Sequence, residues 1–308
     1  MATVLMKGID VSKYQTKVDF NKVKNAGYDF VIIKAGHGQY ESQIDPMFDA
    51  HYRAAKAAGL YVGAYWYCYA TTPQGALNEA AVCKKALAGK VFEMPIYYDI
   101  EERKTMDTGM SNVSAIATSF CNDMEKAGYF CGIYGGQELA ERCLYDSIRT
   151  RYAFWLAQYL KTPKYTGPYG MWQFGVAGAQ AKNNPTGVVS VPGVPGQCDM
   201  DYCYVDYPTQ IKAKGMNGLK PDVTPTPVPD PNKNPYVEPV TVLRKGDSGE
   251  TVKWLQWELT QSGYYAYDID GKFGKLTLSG VTGFQFENGL TVDGVCGPKT
   301  KAKLKELK

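Results

Sequence analysis

The chain alternates between short apolar runs of strand length and segments whose apolar residues recur at helical spacing. Several of the runs are apolar on both faces, as in DFVIIKAG and LYVGAYWYCYA. A strand with two apolar faces is typical of a parallel sheet that is covered by helices. The apolar pattern therefore predicts an α/β fold built on a parallel sheet.

A weak repeat supports this interpretation. Four segments each run from a helix end through Ala-Gly into an apolar strand: KNAGYDFVIIKAG, KAAGLYVGAYWYCYA, ALAGKVFEMPIYYDIE and EKAGYFCGIYGG. They recur at intervals of roughly 30 to 40 residues, which is the length of one strand–helix unit with its loops. The glycine of each pair stands where a helix ends in a left-handed residue.

Eight strands are predicted in all: VLMKGIDVS, DFVIIKAG, LYVGAYWYCYA, MPIYYDIE, YFCGIYGG, YAFWLAQYL, YGMWQFGV and CDMDYCYVD. The last three leave little room for helices between them. We therefore predict a TIM-like barrel of about five βα units plus three strands, with an open doubly wound sheet as the alternative. No GxGxxG or GxxxxGK[ST] motif follows a strand, so the usual nucleotide sites are not expected.

A proline-rich stretch divides the chain. PDVTPTPVPDPNKNPYVEP is poor in apolar residues and is typical of an extended linker. The predicted boundaries are a barrel over 1–217, a linker over 218–240 and a second domain over 241–308. In the last segment, DGKFGKLT and DGVCGPKT repeat around helical patterns, which predicts a small all-α domain of three helices joined by similar turns.

Composition narrows the function classes. The net charge of +3 is too small to indicate a nucleic-acid partner, and no apolar run is long enough for a transmembrane helix. The start MATVLMKGIDVSKYQ lacks a signal-peptide pattern. The protein is therefore expected to be made in a cytoplasm, unless export is unconventional or a leader is missing. The eight cysteines are scattered without a CxxC pair, which favours free thiols in a reducing compartment.

The acidic residues indicate where chemistry would lie. In YYDIEERK, Asp99 and Glu101 share one face of a strand end. Asp10 ends the first predicted strand, and Asp199 and Asp201 lie in the eighth. Strand ends converge on one mouth of a barrel, and a pocket that keeps one carboxyl protonated beside ionised ones suits glycoside hydrolysis. Acids on solvated loops are the alternative.

Aromatic and amide side chains at strand ends are candidates for substrate binding, although the tyrosines could equally fill a core. The candidates are Tyr65, Tyr67, Tyr134, Gln158 and Trp172. The two histidines are too few and too far apart in the pattern for a zinc triad. No metal and no cofactor are therefore predicted.

An ordered set of motifs resembles a known family. GIDVSxxQ from Gly8, the DxE of YYDIE, GIY, WLAQY, WQF and CDMDYCY occur in the order found in glycoside hydrolase family 25, over about residues 5–210. That family consists of lysozymes that cut the β-1,4 bond between N-acetylmuramic acid and N-acetylglucosamine. The resemblance implies a barrel, Glu101 as general acid, Asp99 as its partner, and Asp10 and Asp199 as further acids of the site.

Two positions depart from the family pattern. Cys198 replaces the residue that usually precedes the aspartate of the last motif, and KAGHG replaces the commoner KATEG after the second strand. The first departure leaves Asp199 intact. The second puts a role for an acid at that loop in doubt.

The C-terminal segment resembles the small peptidoglycan-binding domain of wall hydrolases, through GDxGxxVxxLQ, DGxFG and DGxxGxxT. The expected partner is therefore bacterial peptidoglycan, with no nucleic acid and no insertion into a membrane, and the site of action is the cell wall. The layout resembles a phage endolysin; a bacterial autolysin of the same chemistry and a non-catalytic wall-binding protein are the alternatives. The oligomeric state is not predicted.

Overall fold

The computed structural model describes residues 3–180, 182–221 and 234–306 and contains a closed barrel of eight strands in chain order. The strands are β1 (Met6–Val11), β2 (Phe30–His37), β3 (Tyr61–Tyr67), β4 (Ile96–Asp99), β5 (Cys131–Gly136), β6 (Ala153–Ala157), β7 (Met171–Ala177) and β8 (Cys198–Cys203). Each of the first six runs parallel to the next. β8 is antiparallel to both β7 and β1 and closes the barrel.

Helices follow the first five strands and also form the C-terminal region. They are α1 (Phe20–Asn25), α2 (Phe48–Ala57), α3 (Pro73–Leu87), α4 (Arg103–Met106), α5 (Met110–Lys126), α6 (Asp146–Arg151), α7 (Tyr207–Ala213), α8 (Glu250–Gln261), α9 (Lys275–Glu287) and α10 (Pro298–Glu306). A 3₁₀ turn covers Glu41–Gln43 and a π-helical turn covers Leu139–Cys143. The predicted TIM-like barrel is confirmed, and the open doubly wound sheet is wrong because β1 and β8 pair directly.

Glycines let large aromatic rings fill the barrel interior. A Cβ on Gly8 would lie 2.2 Å from the ring of Phe30 on the neighbouring strand, and one on Gly132 would lie 2.6 Å from the ring of Tyr97. Both distances are too short for two carbon atoms. The interior layer below the mouth is therefore a packed core rather than a channel, as in other strand–helix barrels.

The predicted helix ends are also confirmed. The glycines that follow the Ala of each repeat, Gly27, Gly59, Gly89 and Gly128, all have φ between 72° and 85°. This left-handed conformation costs a residue with a Cβ more than it costs glycine. Each helix therefore ends at a fixed residue and turns the chain into the next strand.

Among the C-terminal helices, a buried glutamine holds the first Asp-Gly turn. Gln256 on α8 donates from Nε2 to Asp270 Oδ1 at 2.7 Å and accepts from the Gly271 amide at 2.8 Å. Its side chain is fully buried. The turn is therefore fixed by a side chain with both ends of its amide satisfied.

The same arrangement recurs at the second Asp-Gly turn. Gln285 on α9 donates to Asp293 Oδ1 at 2.8 Å and accepts from the Gly294 amide at 2.9 Å. The repeated motifs DGKFGKLT and DGVCGPKT thus take the same local role, each closing on a glutamine of the preceding helix.

The chain divides into two compact units, Met1–Leu144 with Ala153–Asp222, and Tyr145–Tyr152 with Val223–Lys308. Most of the linker predicted over 218–240 lies outside the described residues. Within the described ranges, no helix is both long and apolar enough to span a membrane. All eight cysteines are buried and free.

Candidate active site

A small polar pocket opens at the barrel mouth where the parallel strands end. Its cavity measures about 180 Å³. The side chains that line it come from seven of the eight strands and two of the loops that follow them: Asp10, Tyr65, Asp99, Glu101, Tyr134, Trp155, Tyr159, Gln173 and Asp199. The four predicted acids therefore meet in one place.

The antiparallel direction of β8 explains how the last acid reaches the mouth. The parallel strands bring their C-terminal ends there, but β8 runs the other way and brings its beginning. Asp199, the second residue of β8, pairs in register with Asp10 near the end of β1. Asp201 lies two residues deeper on the same face, opposite Gly8, and is fully buried.

Asp99 and Glu101 occupy different depths. Asp99 ends β4 and is only 3% exposed, and its buried Oδ1 has no hydrogen-bond partner within the described residues. Glu101 follows two residues later on the loop and is exposed at the mouth. Glu101 can therefore reach a bound polymer, whereas the Asp99 carboxyl lies buried in the lining of the pocket.

Gln173 connects one side of the pocket. Its Oε1 accepts hydrogen bonds from the hydroxyls of Tyr134 at 2.7 Å and Tyr159 at 2.9 Å. Its Nε2 donates to Asp10 Oδ2 at 2.7 Å. Tyr159 also lies 3.4 Å from Asp199 Oδ1. The amide therefore fixes the orientation of one acid and of two phenol rings around the cavity.

Beneath this network, Asp201 accepts a hydrogen bond from the Trp155 indole at 2.8 Å and lies against Asp10. Two carboxyl groups in contact share a proton rather than ionise together. The Trp155 ring is packed between Tyr97 and Tyr134, with centroid distances of 5.1 and 4.4 Å. Packed aromatic rings therefore lie next to the acids beneath the pocket.

Lys34 is a cation beside these acids. It lies on β2, and its Nζ is 5.0 Å from the ring centroid of Tyr67 and 5.6 Å from that of Tyr65. Its positive charge lowers the pKa of Asp99 and of Glu101, against the larger effect of burial, which raises both. Lys34 thus partly offsets the effect of burial on both carboxyls.

Burial is the main cause of the raised pKa values at this site. It raises the pKa of Asp10 well above the usual range, with help from the charges of Asp199 and Asp201. It also raises the pKa of Asp199 to about 6, an effect that the Tyr159 hydroxyl opposes. Carboxyls that hold protons near neutral pH can act as general acids.

The predicted substrate-binding residues take different positions. Tyr65 and Tyr134 line the pocket. Tyr67 lies at its edge, where its hydroxyl donates to Glu102 at 3.4 Å. Gln158 and Trp172 lie away from the cavity: the Gln158 side chain bonds Gln137 and the backbone of the following loop, and the Trp172 indole donates to the Gln158 carbonyl.

Sequence reasoning did not select Gln173, Tyr159, Lys34 or Asp201 as site residues. The first two stand in the WQF and WLAQY motifs, next to residues that were selected. Alternation alone does not say which of two neighbours faces inward. The pairing of Gln173 with Asp201 across β7 and β8 supplies that information.

Two known families match the chain. Residues 9–182 match glycosyl hydrolases family 25, and residues 248–304 match the putative peptidoglycan binding domain. An autolytic lysozyme of Clostridium acetobutylicum is 26% identical over 98% of this chain and 79% of that protein. A spore cortex-lytic enzyme of Halalkalibacterium halodurans is 43% identical over 65 residues, which are 21% of this chain and 20% of that enzyme.

Solved structures agree with the fold. The CTP1L endolysin is 26% identical, with a TM-score of 0.57 over 68% of this chain and 70% of that one. A family 25 glycosyl hydrolase from Bacillus anthracis is 17% identical, with a TM-score of 0.55 over 70% of this chain and 95% of that one. The family matches more than half of the chain, and the barrel carries the acids that the resemblance implied. The chain belongs to glycosyl hydrolase family 25.

Proposed function

We propose that this protein is a peptidoglycan hydrolase of the N-acetylmuramidase type, which cuts the β-1,4 bond between N-acetylmuramic acid and N-acetylglucosamine. One observation carries the proposal most directly: an accessible carboxyl, Glu101, and a buried carboxyl, Asp99, line the same small polar pocket. A pair of carboxyls in different environments is the arrangement that glycoside hydrolysis uses.

Glu101 acts as the general acid. Partial burial raises the pKa of the Glu101 carboxyl. The protonated carboxyl donates its proton to the glycosidic oxygen as the bond between that oxygen and C1 of the muramic ring breaks. The leaving sugar departs with that proton. Glu101, now a carboxylate, then accepts a proton from the water that completes hydrolysis.

Asp99 assists a reaction in which the substrate supplies its own nucleophile. The carbonyl oxygen of the muramic acetamido group attacks C1, and the adjacent N–H is held by the Asp99 carboxylate. The position of Asp99 in the lining of the pocket, with no described protein group bonded to its Oδ1, supports this role. Positive charge on the ring is stabilised by Asp199, whose pKa of about 6 leaves it largely ionised at neutral pH.

The C-terminal domain holds the enzyme on its substrate. Once this domain is bound to the wall, the barrel stays close to glycan strands. The effective concentration of glycan at the barrel mouth therefore rises. The eight buried free thiols suit synthesis in a reducing cytoplasm before the enzyme reaches the wall. An endolysin and an autolysin both fit this description, and an endolysin is the proposal that we favour.

The test compares Glu101→Gln with Glu138→Gln. Glu138 is an exposed glutamate that pairs with Arg103 on the surface, so its substitution controls for loss of one negative charge. Glu101→Gln should lower lysis of purified walls by roughly a hundredfold or more, because general acid catalysis contributes about 10²–10⁴, and wall binding should persist. Glu138→Gln should lyse normally.

Product analysis of a defined muropeptide identifies the bond. A reducing-end N-acetylmuramic acid is expected. Near-normal lysis by Glu101→Gln, or a reducing-end N-acetylglucosamine, would contradict the proposal.

A further inference from the structure

A second and larger pocket lies beside the first on the barrel mouth. Its cavity measures about 380 Å³, and it lies between the loop after β2 and the loop that joins β3 to α3. The residues that line it are almost all neutral: Gly38, Gln39, Tyr40, Gln43, Tyr69, Ala70, Thr71, Thr72, Gln74, Gly75, Asn78 and Glu79. We propose that this pocket binds N-acetylated sugar rings of the same glycan strand, at a distance from the bond that is cut.

The two pockets are connected through Tyr67, the last residue of β3, and Tyr69 in the loop that follows. Tyr67 pairs in register with Asp99 on the neighbouring strand, and its ring lies 5.0 Å from that of Tyr69, centroid to centroid. Tyr69 lines the second pocket and is 49% exposed. Two residues of extended chain span roughly 6.5 Å. A strand seated over Asp99 therefore passes from the catalytic pocket directly onto the Tyr69 ring.

The chemistry of the walls matches an N-acetylglucosamine ring, which carries an acetamido group and no charge. Exposed tyrosine rings, Tyr69 and Tyr40, offer flat apolar faces with a polar edge. Amide side chains supply both donors and acceptors, and they form a chain in which Gln74 donates to Asn78 and Asn78 donates to Gln39, at 3.1 and 3.2 Å. Such amides can exchange hydrogen bonds with hydroxyl and acetamido groups.

Charge argues against the peptide stems as the occupant. Glu79 is the only residue among those lining the pocket with a charged side chain, and it is buried. Its two oxygens accept from the Tyr69 amide at 3.0 Å and the Tyr98 hydroxyl at 2.7 Å. Stem peptides carry carboxylates and amines, which would need paired charges on a binding surface. A neutral lining favours the glycan.

The walls are also held in place before any ligand binds. The Trp66 indole donates to the Gly38 carbonyl at 3.1 Å and fixes the loop after β2. Thr72 caps α3 by accepting from the Gly75 amide at 3.1 Å. Together with the Glu79 bonds, these contacts make the pocket pre-organised, which reduces the entropy that binding would otherwise lose.

The experiment measures kcat/KM of the full-length protein on two soluble, peptide-free substrates, a tetrasaccharide and a long glycan strand. Tyr69→Ala should lower kcat/KM on the long strand by roughly threefold to tenfold, mainly through KM, because one aromatic contact contributes about 0.5–1.5 kcal/mol. The tetrasaccharide should be cleaved at the wild-type rate. Tyr69→Phe keeps the ring and should behave as wild type on both substrates.

The matched control is Tyr61→Ala. Tyr61 is similarly exposed, at 41%, but lies at the opposite end of β3, and its substitution should change neither rate. Equal losses on both substrates with Tyr69→Ala, or no loss on either, would overturn the proposal. A third substrate is the long strand with its stem peptides still attached. A loss for Tyr69→Ala on that strand alone would overturn the proposal in favour of a peptide site.

The inference rests on the proposed muramidase function, and the two can fail separately. If wild-type protein releases no reducing-end N-acetylmuramic acid from the tetrasaccharide, the proposed muramidase function is contradicted. If the wild-type protein does release it, and Tyr69→Ala changes kcat/KM equally on both substrates, only the proposal for the second pocket is contradicted.

Discussion

Lys34 illustrates how one residue sets the balance of an acidic site. Four carboxyls around a cavity of about 180 Å³ would all favour their neutral forms through burial and mutual repulsion. Lys34 opposes this for Asp99 and Glu101 while its ammonium packs against the rings of Tyr65 and Tyr67. It therefore allows one carboxyl to ionise beside another that keeps its proton.

Lys34→Met should move the alkaline limb of the pH–activity profile to higher pH. Removing the positive charge raises the pKa of Glu101 further, so the general acid keeps its proton to a higher pH. Activity at the optimum should fall, because Asp99 ionises less readily. Lys34→Arg keeps the charge and should keep the profile. An alkaline limb that stays in place, or moves to lower pH, in Lys34→Met would contradict this role.

Asp199→Asn should stabilise the fold at neutral pH while lowering activity. The pKa of Asp199 is raised from 3.8 to about 6, so the folded state binds its proton more tightly than the unfolded state. The contribution of this group to stability therefore falls as pH rises from about 4 to 6.

Replacing the carboxyl should raise the free energy of unfolding by about 1–3 kcal/mol at pH 7 and leave it unchanged at pH 3. Denaturant unfolding at both pH values measures this. Asp107→Asn, on the surface beside Arg103, serves as control. Equal effects of Asp199→Asn at the two pH values would show that charge is not the cause.

At the scale of elements, the two glutamine clamps explain why the Asp-Gly motifs repeat. Each clamp joins a helix to the turn after it through both ends of one buried amide, at Gln256 and at Gln285. Three short helices bury few residues, so fixed turns supply order that a small core cannot supply alone.

Gln285→Leu should destabilise the C-terminal domain by about 1–3 kcal/mol, because the Gly294 amide loses its acceptor in a buried position. Gln261→Leu, at the exposed end of α8, should have little effect. Calorimetry of the full-length protein, together with wall-binding assays, measures the loss. Unchanged unfolding of Gln285→Leu would mean that the clamp contributes nothing.

How far the sequence predicts these elements depends on the direction of each strand. Asp99 and Glu101 could be placed at the mouth because β4 is a parallel strand with a helix on each side. Gln173 and Tyr159 could not, because the last three strands lack helices and β7 shifts register between Gln173 and Gly175. A shift of one residue exchanges the inward and outward faces, which is why Trp172 and Gln173 cannot be separated by pattern alone.

At the scale of the whole molecule, hydrolysis of the glycan and binding to the wall belong to different parts of the chain. A barrel with an open mouth hydrolyses any glycan that reaches it. A separate binding domain changes the rate of hydrolysis only when the substrate is an insoluble surface. The family matches at 9–182 and 248–304 follow the same division.

A protein that ends at residue 220 should cleave soluble tetrasaccharide at nearly the full rate but lyse whole walls roughly tenfold more slowly or worse at low enzyme concentration. The reason is the lost local concentration rather than altered chemistry. Equal losses on the two substrates would instead mean that the barrel needs the rest of the chain to fold. Turbidity and product assays on the same preparation separate these outcomes.

The closing pair of strands also affects how the enzyme is made. Asp10 stands near the start of the chain and Asp199 about two-thirds of the way along it, yet the two are direct partners across β1 and β8. A nascent chain on the ribosome has its first acid in place long before its last one emerges. The four acids therefore come together only when β8 has paired with β1, so a nascent chain that stops before β8 cannot hydrolyse the glycan.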